Sequence, residues 1–345
     1  ILAAGPLADR FGRRPLIILF MGVATLLSLA SAYVPAWKVF LLFRFLLGMT
    51  LAGVPAIVMA YIGEEVEPGS TPGAFGLYVA GSGLGSMIGR LGSAITADQI
   101  GWRDTLALVA VLALAATLLF WLLAPRPRAF EPKKPTVRGL VDSTRTLLRD
   151  PVIVALYFEA FLMTGSFIAA YNFIGFRLIA PPYSLPSSIA GGIFLLYLSG
   201  SVCAVMTGRM INRFGRERVL PGAYAIMAVG ALISIASPLL FALLGMAILT
   251  IGFFVAHATA SGWVAQRGHH QRGHATAFYL SSFYVGSSIV GGTAGIAWHA
   301  GQWTGVGLYI FAMMSLAVVV ALWIRKQAGT EKPQPLEDDG GIAVG

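Results

Sequence analysis

"GPLADRFGRRPLI" (5–17) returns as "GRMINRFGRERVL" (208–220), so the charged knot "RFGR" stands twice in a very apolar chain. The surroundings explain why that repetition matters. Of 345 residues, 57% are hydrophobic and 11% charged, well under the roughly 25% charged residues of soluble domains. The natural solvent for such a chain is lipid. The stretch "TLALVAVLALAATLLFWLLA" (105–124) carries no charge; as a helix it spans about 30 Å, the thickness of a bilayer's hydrocarbon core. Cys203 is the only cysteine, which excludes disulfides and thiolate metal clusters within the chain.

Breaks in the apolar pattern predict an all-α membrane protein with ten full spans, at 15–33, 37–62, 72–97, 103–124, 152–178, 186–207, 219–236, 239–264, 275–298 and 303–324. Helices satisfy their own backbone in lipid. The net charge of +9 finds its reason in orientation rather than in nucleic acid. With both "RFGR" loops inside, every Lys and Arg except Lys38, Arg44, Arg90, Arg103 and Arg177 falls in an inner loop, the 126–150 linker or the tail. That is the positive-inside pattern.

Further pairs recur at nearly the spacing of the knots, about 203 residues. Gly48 and Ala52 match Gly252 and Ala256, "VAGS" (79–82) matches "YVGS" (284–287), and "GW" (101–102) matches "GQW" (301–303). Four matches in one order predict two parallel six-helix bundles. The expected division is an incomplete N-terminal bundle at 1–125, a cytoplasmic linker with an amphipathic helix at 126–150, a C-terminal bundle at 151–326 and a disordered tail at 327–345. The repeat also predicts about 52 residues ahead of Ile1, room for the first span and most of the second.

These features resemble the major facilitator superfamily of secondary transporters, whose two halves are related by an axis along the membrane normal. Its G-x-x-x-D-R-x-G-R-R loop is matched by Gly5, Asp9, Arg10, Gly12, Arg13 and Arg14. Its R-x-x-x-G motif resembles Arg44 and Gly48. Its fifth-span glycine stripe resembles Gly81, Gly85 and Gly89, although the proline of the antiporter form is missing from "GSGLGSMIG". Stretches such as "YIGEEVEPG" and "HATASGW" look most like bacterial inner-membrane drug and sugar efflux permeases.

The resemblance implies a gating latch at the inner face. Asp9 would meet the positive N-terminal end of the helix near Gly273–Thr276. Arg13 or Arg14 would pair with Glu64 or Glu65. In the second copy Asn212, Arg213, Gly215 and Arg216 would form a weaker latch, because Asn212 stands in the aspartate's place. The competing reading is a pair of positive-inside anchors.

Ionisable residues within spans are costly and point to function. Arg44 reads as coupling or cavity polarity, or as a snorkelling side chain. Arg90 reads as a pocket for an anion or carboxylate partner, or as half of a structural ion pair. Glu159 reads as a proton carrier or a hydrogen-bonded structural group. His257 reads as a titrating group or a packing histidine. Tyr171, Asn172 and Gly175 read as cavity lining or helix packing, as do Tyr279, Ser281 and Tyr284. Gly48, Gly81, Gly85 and Gly89 are expected to pack helices closely.

His269, His270 and His274 lie together, but without acidic or cysteine partners they read as a solvated loop, not a metal site. No phosphate loop, dinucleotide fingerprint or nucleophile elbow is present, so nothing supports an enzyme, a cofactor or ATP-driven transport. The expectation is a monomeric, proton-coupled efflux transporter of small molecules in a bacterial inner membrane. The alternatives are a sugar or organic-acid facilitator or importer, and a membrane sensor that moves nothing.

Overall fold

The computed structural model describes residues 4–66, 71–125, 137–268 and 271–330. The expectations for His269, His270, most of the linker and the tail beyond residue 330 lie outside those residues, as do the side chains of Gly5, Asp9 and Glu64.

Every described element is helical. The order is α1 (Ala4–Phe11), α2 (Arg13–Tyr33), α3 (Trp37–Ala52), α4 (Val54–Glu65), α5 (Thr71–Leu123), α6 (Val137–Arg149), α7 (Pro151–Ile179), α8 (Ser187–Ala190), a 3₁₀ turn (Gly191–Leu196), α9 (Tyr197–Phe214), α10 (Arg216–Ile233), α11 (Leu239–Arg267) and α12 (Arg272–Thr330). Among the described residues seven helical stretches are long and apolar enough to cross a membrane. Two of them, at Gly81–Leu123 and Gly273–Gln327, contain breaks.

A glycine stands at each break. Gly101 in α5 has φ 80° and ψ 162°, a combination essentially confined to glycine. In α12 the helical geometry fails at Gly301 and Gln302, and the chain reverses there. Tyr309 Oη donates to the Val290 carbonyl at 3.1 Å and lies 2.9 Å from Thr293 Oγ1; along an unbroken helix residues 293 and 309 would be about 24 Å apart. These breaks fall at the "GW" and "GQW" pair of the repeat.

The "RFGR" knots are also glycine turns, and the two copies agree in detail. Gly12 has φ 90° and ψ 146°, Gly215 φ 79° and ψ 143°. Each glycine closes one helix by donating to a carbonyl four residues back, Ala8 at 3.0 Å and Ile211 at 2.8 Å, and the next helix starts at once. Beside each, an arginine lies over its neighbouring phenylalanine, Arg10 over Phe11 and Arg213 over Phe214, both at 5.2 Å.

The second half holds the main core, built from α7, α10, α11, α12 and the helices between them. Small residues let these helices touch. An added methyl on Gly252 would lie 2.7 Å from the Ala223 carbonyl oxygen, and one on Gly286 would overlap the backbone of Phe161. The first half has a smaller cluster of Ala8, Leu16, Ile17, Ile57 and Tyr61. Here the expected glycine packing is not met: a methyl on Gly48, Gly81, Gly85 or Gly89 would meet nothing within 4 Å. The physical reason is that no described neighbour approaches those faces.

Arginines tie the helix ends. Arg14 donates to the carbonyls of Trp121 (2.5 Å) and Ala124 (3.1 Å), and Arg103 to those of Ala32 and Val34, both at 3.1 Å. The second arm of α5 therefore runs antiparallel to α2. Arg177 reaches the carbonyls of Ser234, Ile235 and Ala236 at the end of α10, where Trp303 Nε1 also donates to Ser234 at 2.9 Å. Unpaired helix-end carbonyls are the natural acceptors for such groups.

Candidate functional site

The two halves meet along α5 and the segment α8–α9, which run antiparallel. At one end the Asp98 carboxylate accepts the Ser188 N–H at 2.8 Å. Further along, a methyl on Gly191 would come within 2.6 Å of Ala94 Cβ. Next, Arg90 Nη1 donates to Tyr197 Oη at 2.7 Å. A side chain of the first half thus grips a ring of the second, about 16 Å along α5 from its break at Gly101. The 3₁₀ turn Gly191–Leu196 lies beside this contact. A 3₁₀ stretch inside a span marks a local change of winding, common at hinges.

Arg90 is half-buried, with its guanidinium 5.2 Å from the centre of the Phe194 ring and 5.5 Å from that of Tyr197. Behind these rings runs an aromatic ladder. Tyr171 meets Tyr197 edge-on at 4.8 Å and stacks on Phe194 at 5.6 Å, and Phe167 stacks on Phe253 at 3.7 Å. Tyr171 Oη lies 2.7 Å from Thr250 Oγ1, which fixes its ring. The ladder continues from Phe253 to His257, whose Nδ1 is 3.0 Å from Tyr279 Oη.

Glu159 lies in the interior of the second half. It is fully buried and accepts a long hydrogen bond, 3.4 Å, from Tyr224 Oη of α10, while Oε1 has no partner among the described residues. No described arginine or lysine pairs with it. A charge desolvated in this way is costly, so the carboxyl is suited to holding a proton.

The remaining expected residues fall elsewhere. Arg44 is exposed on α3 and joins none of these contacts, and Asn172 is exposed beside the buried Tyr171. Tyr284 is 42% exposed and packs edge-on against Phe283. Arg14 donates to the carbonyls of Trp121 and Ala124 at the end of α5. In the second copy Arg216 donates to Gln266 Oε1 at 2.5 Å and lies over the Trp263 ring at 4.8 Å. Glu217, which replaces the Arg14 of the first copy, sits 3.5 Å from Arg216. Among the described residues no group of acidic, histidine and cysteine side chains could hold a metal.

Sequence reading missed Phe194, Tyr197, Tyr224 and Thr250. A signal for the first two was present: the Gly191–Gly192 pair inside an apolar span, followed by aromatics at 194 and 197.

The Major Facilitator Superfamily family model matches residues 1–267 and 186–343. The chain belongs to that superfamily. It is 36% identical over 324 residues to an uncharacterised transporter of the superfamily, YybF of Bacillus subtilis (strain 168), covering 94% of this chain and 79% of the relative. It is also 36% identical over 327 residues to the inner membrane transport protein YnfM of Escherichia coli (strain K12), covering 95% and 78%. Among solved structures the fold is similar to a mutant of the nucleoside transporter NupG, with a TM-score of 0.74 at 14% identity over 94% of this chain and 86% of that one. As a member of the superfamily the chain is a multi-pass membrane transporter of small molecules, not an enzyme.

Proposed function

We propose that this protein is a proton-coupled secondary transporter that expels small molecules by alternating access, with its substrate held at the Arg90–Tyr197 seam. The observation that carries the reading is that seam. A costly mid-span charge of one half is bonded to the other half beside a change of helix winding, where a rocking motion is felt. Substrate sites of such transporters lie near the midplane between repeats.

In this reading α5 and α12 each cross twice. At 53 residues α5 alone would be about 80 Å long, far more than a bilayer's roughly 30 Å core. With α2, α3–α4, α7, α8–α9, α10 and α11 that makes ten crossings, divided between bundles at 1–125 and 151–326. Lysine and arginine placement puts the "RFGR" loops, the linker and the C-terminus on the cytoplasmic side of a bacterial inner membrane. There the knots act as latches. Arg13 would reach Glu64 or Glu65 as Arg216 reaches Gln266, and Asp9 would close on the start of α12. The linker helix α6 leaves Val141, Leu148, Arg145 and Arg149 exposed, as suits a helix on an anionic leaflet. The transporter acts as a monomer, because the path lies between its own halves.

Glu159, with Tyr224, Tyr279 and His257, is the proton-carrying arm. The efflux direction rests on the resemblance to efflux permeases. The test is proton movement in everted vesicles carrying a pH dye, challenged with a compound panel. The expected result is compound-dependent proton release that Glu159→Gln removes. No response to any compound, in everted or right-side-out vesicles, would refute transport by this chain.

A further inference from the structure

We infer that the seam selects an organic anion, a carboxylate or sulfonate on a planar apolar body. The inference rests on the seam being the substrate site. Three observations carry it. A guanidinium offers five N–H donors in one plane, and among the described residues only one of Arg90's is engaged, by Tyr197. Asp98, about two turns further along the same helix, accepts from Ser188. Arg90 therefore holds a positive charge in a span with no described carboxylate bonded to it, and an oxyanion on the ligand matches its open edge bidentately.

The second observation is what surrounds that charge. Phe194 and Tyr197 flank the guanidinium, and Tyr171, Phe167 and Phe254 continue the aromatic wall, with Tyr197 and Phe254 edge-on at 6.1 Å. Phe194 and Phe254 are partly exposed and offer ring surface to a flat unsaturated body, with Tyr171 and Phe167 buried behind them. The third is what the wall lacks. Apart from tyrosine hydroxyls these rings present no hydrogen-bonding group, so a polyol would lose its water without replacement, and a cation would face Arg90 directly. An anion spanning Arg90 and the ladder also touches both halves, which gives the differential interaction that alternating access requires.

The probes are benzenesulfonate, its neutral isostere benzenesulfonamide, benzyltrimethylammonium and methanesulfonate, titrated calorimetrically into the full chain in lipid nanodiscs. Benzenesulfonate is expected to bind at least about tenfold more tightly than the other three. Arg90→Gln should weaken it by about tenfold or more, Arg90→Lys by less. Equal binding of the amide or the ammonium, no binding of benzenesulfonate, or an Arg90→Gln protein that binds it unchanged would overturn the inference. The comparison of probes on the unaltered protein decides even if Arg90→Gln fails to fold. The two readings fail differently. Arg90-dependent sulfonate binding with no solute moved in liposomes would sink transport and keep the anion site. Transport of neutral or cationic compounds alone would sink the anion site and keep transport.

Discussion

Gly48 and Gly252 occupy matching places in the two halves, as do Gly81 and Gly286, yet their surroundings differ completely. In the second half each glycine is pressed against a neighbouring helix backbone; in the first, neither has a described atom within 4 Å of where a methyl would stand. The helices that carry Gly48 and Gly252 differ too, since 50% of the apolar window of α11 is buried against 11% for that of Trp37–Val58. Among the described residues the repeat thus keeps the backbone plan while the neighbours of these glycines differ. The "RFGR" knots teach the same lesson at shorter range. Their glycine geometry and stacked Arg–Phe pairs coincide, while the next arginines go to different partners. The turn belongs to the fold, and the charges around it are free to make the halves unequal.

Three sets of substitutions press on that comparison. The largest effect is expected at the position where the knots differ in charge. Asp9→Asn should abolish transport at undiminished membrane expression, whereas Asn212→Asp should leave transport largely intact; vesicle transport with quantified expression measures both. Next come the paired glycines. Gly252→Ala and Gly286→Ala should each lower stability by about 1–3 kcal/mol through overpacking, while Gly48→Ala and Gly81→Ala should leave the melting temperature of the purified protein unchanged or slightly raised. The smallest contrast is expected at the turns. Gly12→Ala and Gly215→Ala should cost similar amounts, of order 1–3 kcal/mol, because both force the same forbidden backbone geometry. Unequal melting temperatures would mean that the turns are not equivalent.

The fold was legible because its determinants are coarse. Long apolar runs, glycine breaks at 101 and 301, and charge knots at fixed spacing all survive as letters. The family followed from the same letters, in particular Asp9, Gly12 and the paired arginines. Of the proposed site, what the letters show is where an expensive residue announces itself: Arg90, Glu159 and His257 stand out in apolar spans, and the structure gives each a specific neighbour. Tyr197, Phe194 and Tyr224 did not stand out, because an aromatic in a span reads as packing until its partner is known. The glycine stripe 81–85–89 has no described residue against it, which its letters do not tell. Spacing of four defines a smooth helix face, and says nothing of what lies against it.

The central claim is that two parallel bundles carry equivalent turns on one face of the membrane. Phe11 and Phe214 are exposed beside the two glycines, and Cys203 is the sole native thiol. In a Cys203→Ser background, Phe11→Cys and Phe214→Cys should both react with an impermeant maleimide in inside-out vesicles and both be protected in right-side-out ones. Reaction of one from each side would contradict the parallel repeat, and with it the latch and the seam.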